Sequence, residues 1–225
     1  MISIDSVYQR VLVLANKEQR GYITPQEFNL LATHAQNDIF EQYFYDLNQF
    51  KRIPGNVSKY ADMVDLLEDK ISYFKRGPVT KNNEEGVDSN TYYRITDVSL
   101  NGKVAEEIRY EDFYKTQYSP LTKATNNRPI FWRKNNTIYF NPSSGDYAVH
   151  YIAKPLPPKW TYIIVNEKPL YNDSATDRKN FELHPSEQTE LVVKILQLAG
   201  IAVKDYSLVQ TAAQEENRSI QQEKQ

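Results

Sequence analysis

The segment Phe181–Gln225, FELHPSEQTELVVKILQLAGIAVKDYSLVQTAAQEENRSIQQEKQ, decides how the rest of the chain is read. It predicts two helices. The first opens at His184-Pro185-Ser186-Glu187. A proline in a first turn has no N–H to lose, and a carboxylate there meets the positive end of the helix dipole. Leu191, Ile195, Leu198, Ala199 and Ala202 recur at spacings of three and four, so one stripe faces a core. Gly200 either interrupts this helix or marks its end. The second helix, from about Ser207, carries a thin apolar line of Leu208, Ala212 and Ile220 among Gln, Glu, Asn, Arg and Lys. A helix with so little to bury against its own domain is marginal alone in water, and it points to a surface outside the chain.

The other end of the chain is also helical. Ile4, Val7, Val11 and Leu14 put one apolar face on a helix over Ser3–Lys17. The following NKEQRGYITPQEF admits two readings. With Gly21 at the sixth position of an EF-hand loop, residues 16–27 place Asn16 first, Glu18 third and Glu27 twelfth. The fifth position is then Arg20, a cation where a calcium ligand belongs, and no second loop pairs with it. The other reading takes Gly21 as the glycine ending the first helix and Thr24-Pro25-Gln26-Glu27 as a capping box that starts the next. That next helix runs from Pro25 to about Gln49 on the stripe Phe28, Leu31, Ala35, Ile39, Tyr43, Leu47 and Phe50, widened by Phe40 and Phe44. Pro54-Gly55 breaks the chain, and a third helix follows from about Ser58 with Tyr60, Met63, Val64, Leu67, Ile71 and Phe74 on one face.

Between the helices the pattern changes. Gly77–Asn90 reads as a polar loop, then TYYRITDVSLNGK alternates and carries a hairpin signal at Asn101-Gly102. Val104–Tyr118 suits a strand followed by a short helix. Pro129–Phe140 reads as strand, Asn-Asn turn, strand. Asp146–Lys154 is another strand with Tyr147, Val149 and Tyr151 on one face, ended by Pro155, Pro157 and Pro158; Trp160–Val165 is a last short strand. The predicted class is α+β: a helical bundle from the N-terminal part (1–76) and the C-terminal helices (181–225), with a small antiparallel β domain inserted over 77–180.

Composition narrows the function classes. The 225 residues carry a net charge of −2, so no global basic field draws in nucleic acid or an anionic membrane. No apolar run approaches a membrane span, and the start is not a signal peptide. The absence of cysteine excludes disulfides and thiolate sites. His34, His150 and His184 have no partner at metal-ligand spacing, and there is no glycine-rich phosphate loop or G-x-S-x-G elbow. The carboxylate pairs Glu84-Glu85, Glu106-Glu107, Glu111-Asp112 and Glu215-Glu216 lie in polar surroundings, where nothing raises a pKa. No catalytic, cofactor or metal residue is therefore expected. The 17 tyrosines suit surfaces that are wet before assembly and buried after it, or equally the β-rich segments that favour Tyr.

The N-terminal block VLVLANKEQRGYITPQEFNLLATHAQNDIFEQYFYDLNQFK, the C-terminal blocks FELHPSEQTELVVKILQLAG and KDYSLVQTAAQEE, and the segments Ile138–Pro142 and Tyr151–Pro155 together resemble head–tail connector (adaptor, or ring) virion proteins of crAss-like phages and related podophages. The resemblance spans nearly the whole chain, as a pattern of blocks and not a short motif. It implies a homo-oligomeric ring, usually of twelve copies, beneath the portal protein, contacting other neck and tail proteins and enclosing channel DNA without specific binding. It also implies assembly in the host cytoplasm and a place at the virion's head–tail junction. The chain lacks the long extended C-terminal arm by which such adaptors dock on the portal. Leu208, Thr211, Gln214 and Arg218, with Tyr139 and Tyr151, are the expected partner-binding residues.

Overall fold

A computed structural model of the chain describes residues 1–17, 23–52, 62–81, 85–86, 92–134 and 137–202. The class is α+β. Helices α1 (Ile4–Lys17), α2 (Pro25–Arg52) and α3 (Asp62–Ser72) come first. Strands β1 (Lys75–Lys81), β2 (Glu85–Gly86), β3 (Tyr92–Leu100), β4 (Lys103–Val104) and β5 (Glu106–Glu107) follow. After the short helix α4 (Phe113–Tyr118) come β6 (Ile130–Lys134), β7 (Thr137–Asn141) and β8 (Tyr147–Ala153). The ribbon β9 (Tyr162–Val165) and β10 (Lys168–Tyr171) precedes α5 (Gln188–Ala202). Contacts divide the chain into two compact units, one from Met1–Tyr73 with Pro155 onward, the other Phe74–Lys154.

In the first unit α5 packs on α1 and α2, and α3 packs on α2. The capping box forms as its chemistry dictates: Thr24 donates its N–H and hydroxyl to Glu27 at 2.9 and 2.8 Å, and Glu27 N–H donates back to Thr24 Oγ1 at 3.3 Å. Ile4, Val7 and Val11 of α1, Phe28, Ala35 and Ile39 of α2, and Leu191, Ile195 and Ala199 of α5 are buried. Leu14, which the sequence places on the buried face of α1, is instead exposed beside Val13. Gly200 lies inside α5, so it does not end the helix.

Two amides on one face of α2, two turns apart, hold the returning chain. Asn29 accepts from the Trp160 N–H at 2.8 Å and donates to its carbonyl at 3.1 Å. Gln36, fully buried, donates to Leu156 O at 2.8 Å and accepts from Glu182 N–H at 3.0 Å. Each side chain thus serves one backbone donor and one backbone acceptor of the returning segment in place of water. This arrangement ties the segment after Lys154 to the helices, whereas the sequence reading extends the β-rich part to 180. Proline-rich, strand-like residues over 155–171 carry no mark of where they pack.

In the second unit two four-stranded sheets run in the orders β1-β8-β3-β4 and β2-β7-β6-β5. Ile95, Val98, Leu100, Phe131, Ile138, Phe140, Tyr147 and Val149 form its core. Pairing is antiparallel except for β5 with β6, which the crossover through α4 makes parallel. Asn101-Gly102 forms the predicted tight turn, with φ of 50° and 76°. Two corrections concern register and extent. Gly77–Lys81, the start of the expected polar loop, belongs to strand β1: paired to β8 as a sheet edge, it buries no face and so shows no alternation. The alternation in β8 slips after Val149, so Ile152 is buried and Tyr151 only half so, opposite irregularities in both neighbouring strands.

Candidate interaction surfaces

The ribbon β9–β10 in the first unit is largely exposed, with five of its eight strand residues open to solvent. Asn166 and Glu167, both with positive φ (49° and 64°), make its two-residue turn. The register pairs Tyr162 with Tyr171, Ile163 with Leu170, Ile164 with Pro169 and Val165 with Lys168. Paired residues share a face, so one face holds Tyr162, Ile164, Pro169 and Tyr171, the other Ile163, Val165, Lys168 and Leu170. Both tyrosines stack on Trp160, at 5.8 Å each. Trp160 is itself buried, 4.3 Å from the Tyr8 ring, with its indole N–H donated to Asp5 at 2.9 Å. The tyrosine face is therefore rooted in the helices. The opposite face is open along its length, with Ile163 50% exposed, Val165 42% and Leu170 49%, whereas on the tyrosine face only Ile164, at 71%, stands clear of the helices. An isolated hairpin is marginal in water, and an aliphatic sheet face left wet calls for a covering surface.

Two concave surfaces are formed by described residues of the same unit. Between α2 and α3 a cleft of about 360 Å³ has Phe50, Met63, Leu66 and Leu67 on its apolar walls and Asp46 and Asp69 beside them. Its lining includes Lys70, whose ammonium pairs with the buried Glu187 carboxylate at 2.8 Å. Burial pushes the Glu187 carboxyl up, but the Lys70 ammonium, a hydrogen bond shared with Glu190 and one donated by the Ser186 hydroxyl outweigh that and hold it below its ordinary range. The second is a groove of about 450 Å³ between α1 and α5, lined by Val13, Leu14, Val192 and Val193 with Arg10 at its side.

The residues singled out from the sequence fall in three places. Leu208, Thr211, Gln214 and Arg218 lie outside the described residues. Tyr139 is half-buried on β7 and stacks on Trp132 at 5.7 Å, and Phe113 lies tilted against the same indole at 4.4 Å. Tyr151 is half-buried on β8, 4.0 Å from the Tyr92 ring. The two tyrosines thus belong to different sheets of the second unit, each within its own aromatic cluster. A wetter surface there is formed by Tyr114, Tyr118 and Leu121, the last 91% exposed. Sequence reasoning missed the ribbon's second strand and both concave surfaces. The signal for the ribbon was present: YIIV and KPLY flank a two-residue connection, but Asn-Glu is a weaker turn pair than Asn-Gly, and Pro169 argues against a strand.

Among the described residues, no group of three His, Asp or Glu is placed to hold a metal. Glu27, the twelfth position of the EF-hand alternative, is engaged in the capping box, and residues 18–22 of that loop lie outside the described residues. Glu106 and Glu107 are surface carboxylates paired with Arg128 at 2.9 Å and Arg133 at 2.5 Å. His34 is exposed, and His184 caps a helix start by accepting from Ser186 N–H at 3.2 Å. No described helix is long and apolar enough to cross a membrane. No protein-family model matches the chain, and no curated protein matches it in sequence.

Proposed function

We propose that this chain is a structural subunit of a phage head–tail connector ring, joining portal to tail and enclosing the DNA channel, with no catalysis of its own. The observation that carries the reading is the pairing of unlike apolar surfaces on one unit: a projecting aliphatic ribbon, and an apolar cleft and groove on the helices. Surfaces of different shape on one molecule favour heterologous contacts, and heterologous contacts that close make rings. The helical frame with an inserted β domain is the architecture such adaptors share, and the modest charge of −2 suits a wall that DNA passes without being gripped. The thinly apolar C-terminal segment is the further surface offered to the portal or to a neighbouring copy.

Mass measurement of the purified protein, alone and mixed with portal protein, tests this. A closed oligomer of about a dozen copies, formed alone or on portal, is expected. A monomer under both conditions sinks the reading. Replacing Leu208 and Ile220 with Asp should abolish assembly while far-ultraviolet circular dichroism stays unchanged, and normal ring formation by that variant removes the C-terminal segment from the interface.

A further inference from the structure

We propose that the open face of the β9–β10 ribbon of one copy seats in the α2–α3 cleft of the next copy, joining the chain to itself head to tail. This rests on the ring reading and specifies its contact. The ribbon presents an aliphatic stripe, Ile163, Val165 and Leu170, with a single cation, Lys168, on the same face at the outer end. The cleft presents the complement: Phe50, Met63 and Leu66 as apolar wall, with the carboxylate of Asp69 beside it. Leu66 is 54% exposed, so the wall is open to a visitor. The other cation at the cleft, Lys70, has its ammonium held by buried Glu187, so it does not cancel the attraction for Lys168. The α1–α5 groove is a poorer seat for the same face, because its charged residue is Arg10, which repels a lysine. Ribbon and cleft are different patches, so each copy can give its ribbon to one neighbour and receive the ribbon of another; repeated in that way the contact is heterologous and propagates around a ring, whereas two copies that reciprocate it stop at a dimer.

The chain's lack of cysteine makes the contact directly testable. Leu170→Cys and Leu66→Cys each introduce one thiol at an exposed position. When the two variants are mixed and oxidised, the mixed disulfide dimer is expected at least tenfold above either same-variant dimer. Lys168→Glu should lower that yield about tenfold, and adding Asp69→Lys in the partner should restore it. Same-variant dimers as abundant as mixed ones, or a yield indifferent to the charge reversal, overturn the proposal. So does crosslinking of Leu170→Cys only to added portal protein, or of Leu66→Cys only after residues 203–225 are deleted, which would assign the cleft to the chain's own end. Native mass on the same samples separates the two claims. Oligomers without the mixed crosslink sink this contact and leave the ring reading standing, whereas a monomer at hundreds of micromolar, with portal or without, sinks both.

Discussion

Glu187 has 4% of its side chain exposed and sits at the start of α5, where three interactions compete with its burial. Its carboxyl titrates below the ordinary 4.5, so its charge stabilises the fold above that pH, and the contribution is lost as pH falls through the lower folded value. Glu187→Gln should cost about 3 kcal/mol at pH 7, the cost of leaving Lys70 without its buried partner. In urea titrations the gap between wild type and variant should narrow below pH 4.5; a constant gap would show that the pair is not the source. Tyr147 has the opposite sign. Burial pushes its phenol up to about 12, from an ordinary 10, while its hydroxyl donates to Pro142 O at 2.9 Å. The neutral form is favoured on folding, so stability present below pH 10 should fall between 10 and about 12. Tyr147→Phe should remove that alkaline loss and cost about 1 kcal/mol at neutral pH, measured by denaturation across the range.

Two glycines show how an element's geometry depends on a missing Cβ, and in different ways. Gly102 closes the β3–β4 turn at φ +76° with nothing within 4 Å of an added Cβ. Only backbone strain opposes a side chain there, so Gly102→Ala should cost about 1 kcal/mol. Gly77 lies in β1 at φ +113°, where a Cβ would sit 2.7 Å from Val149 O and 3.1 Å from His150 Cα. Those are backbone atoms of β8 and cannot rotate away. Gly77→Ala should therefore cost several times more than Gly102→Ala and expose the β1 amides to hydrogen exchange, while equal costs would contradict the close approach. The difference also marks what was legible. Asn101-Gly102 announces its turn because a short local pattern specifies it, and the capping box at Thr24–Glu27 does so for the same reason. β1 does not: an edge strand with polar residues on both faces has no period to detect, and its partner lies some seventy residues away. Asn29 and Gln36 look like ordinary polar helix residues until the segment they hold is placed against them.

At the scale of the molecule, the bundle helices were legible from their apolar faces, while the place where the chain rejoins them was not. The sequence puts that return at residue 181, yet Gln36 already grips Leu156 and Asn29 already grips Trp160. Backbone hydrogen bonds to a distant amide leave no trace in periodicity, and the exposed β9–β10 ribbon is built by that returning segment. The division at Phe74 and Lys154 has a measurable consequence. Every residue of the core around Val98, Phe140 and Tyr147 lies between those limits, including the Phe140–Tyr147 stack at 4.2 Å. Burial of that set within one contiguous stretch supplies its own hydrophobic driving force. Residues 74–154 expressed alone should then unfold cooperatively in urea, and Tyr147→Phe should lower their stability as it does in the full chain. Trp160→Ala, which removes the root of the ribbon, should cost about 3–5 kcal/mol in the full chain. A fragment that lacks a cooperative transition would mean that the sheets borrow their stability from the helices, and the chain would then have to be treated as one folding unit.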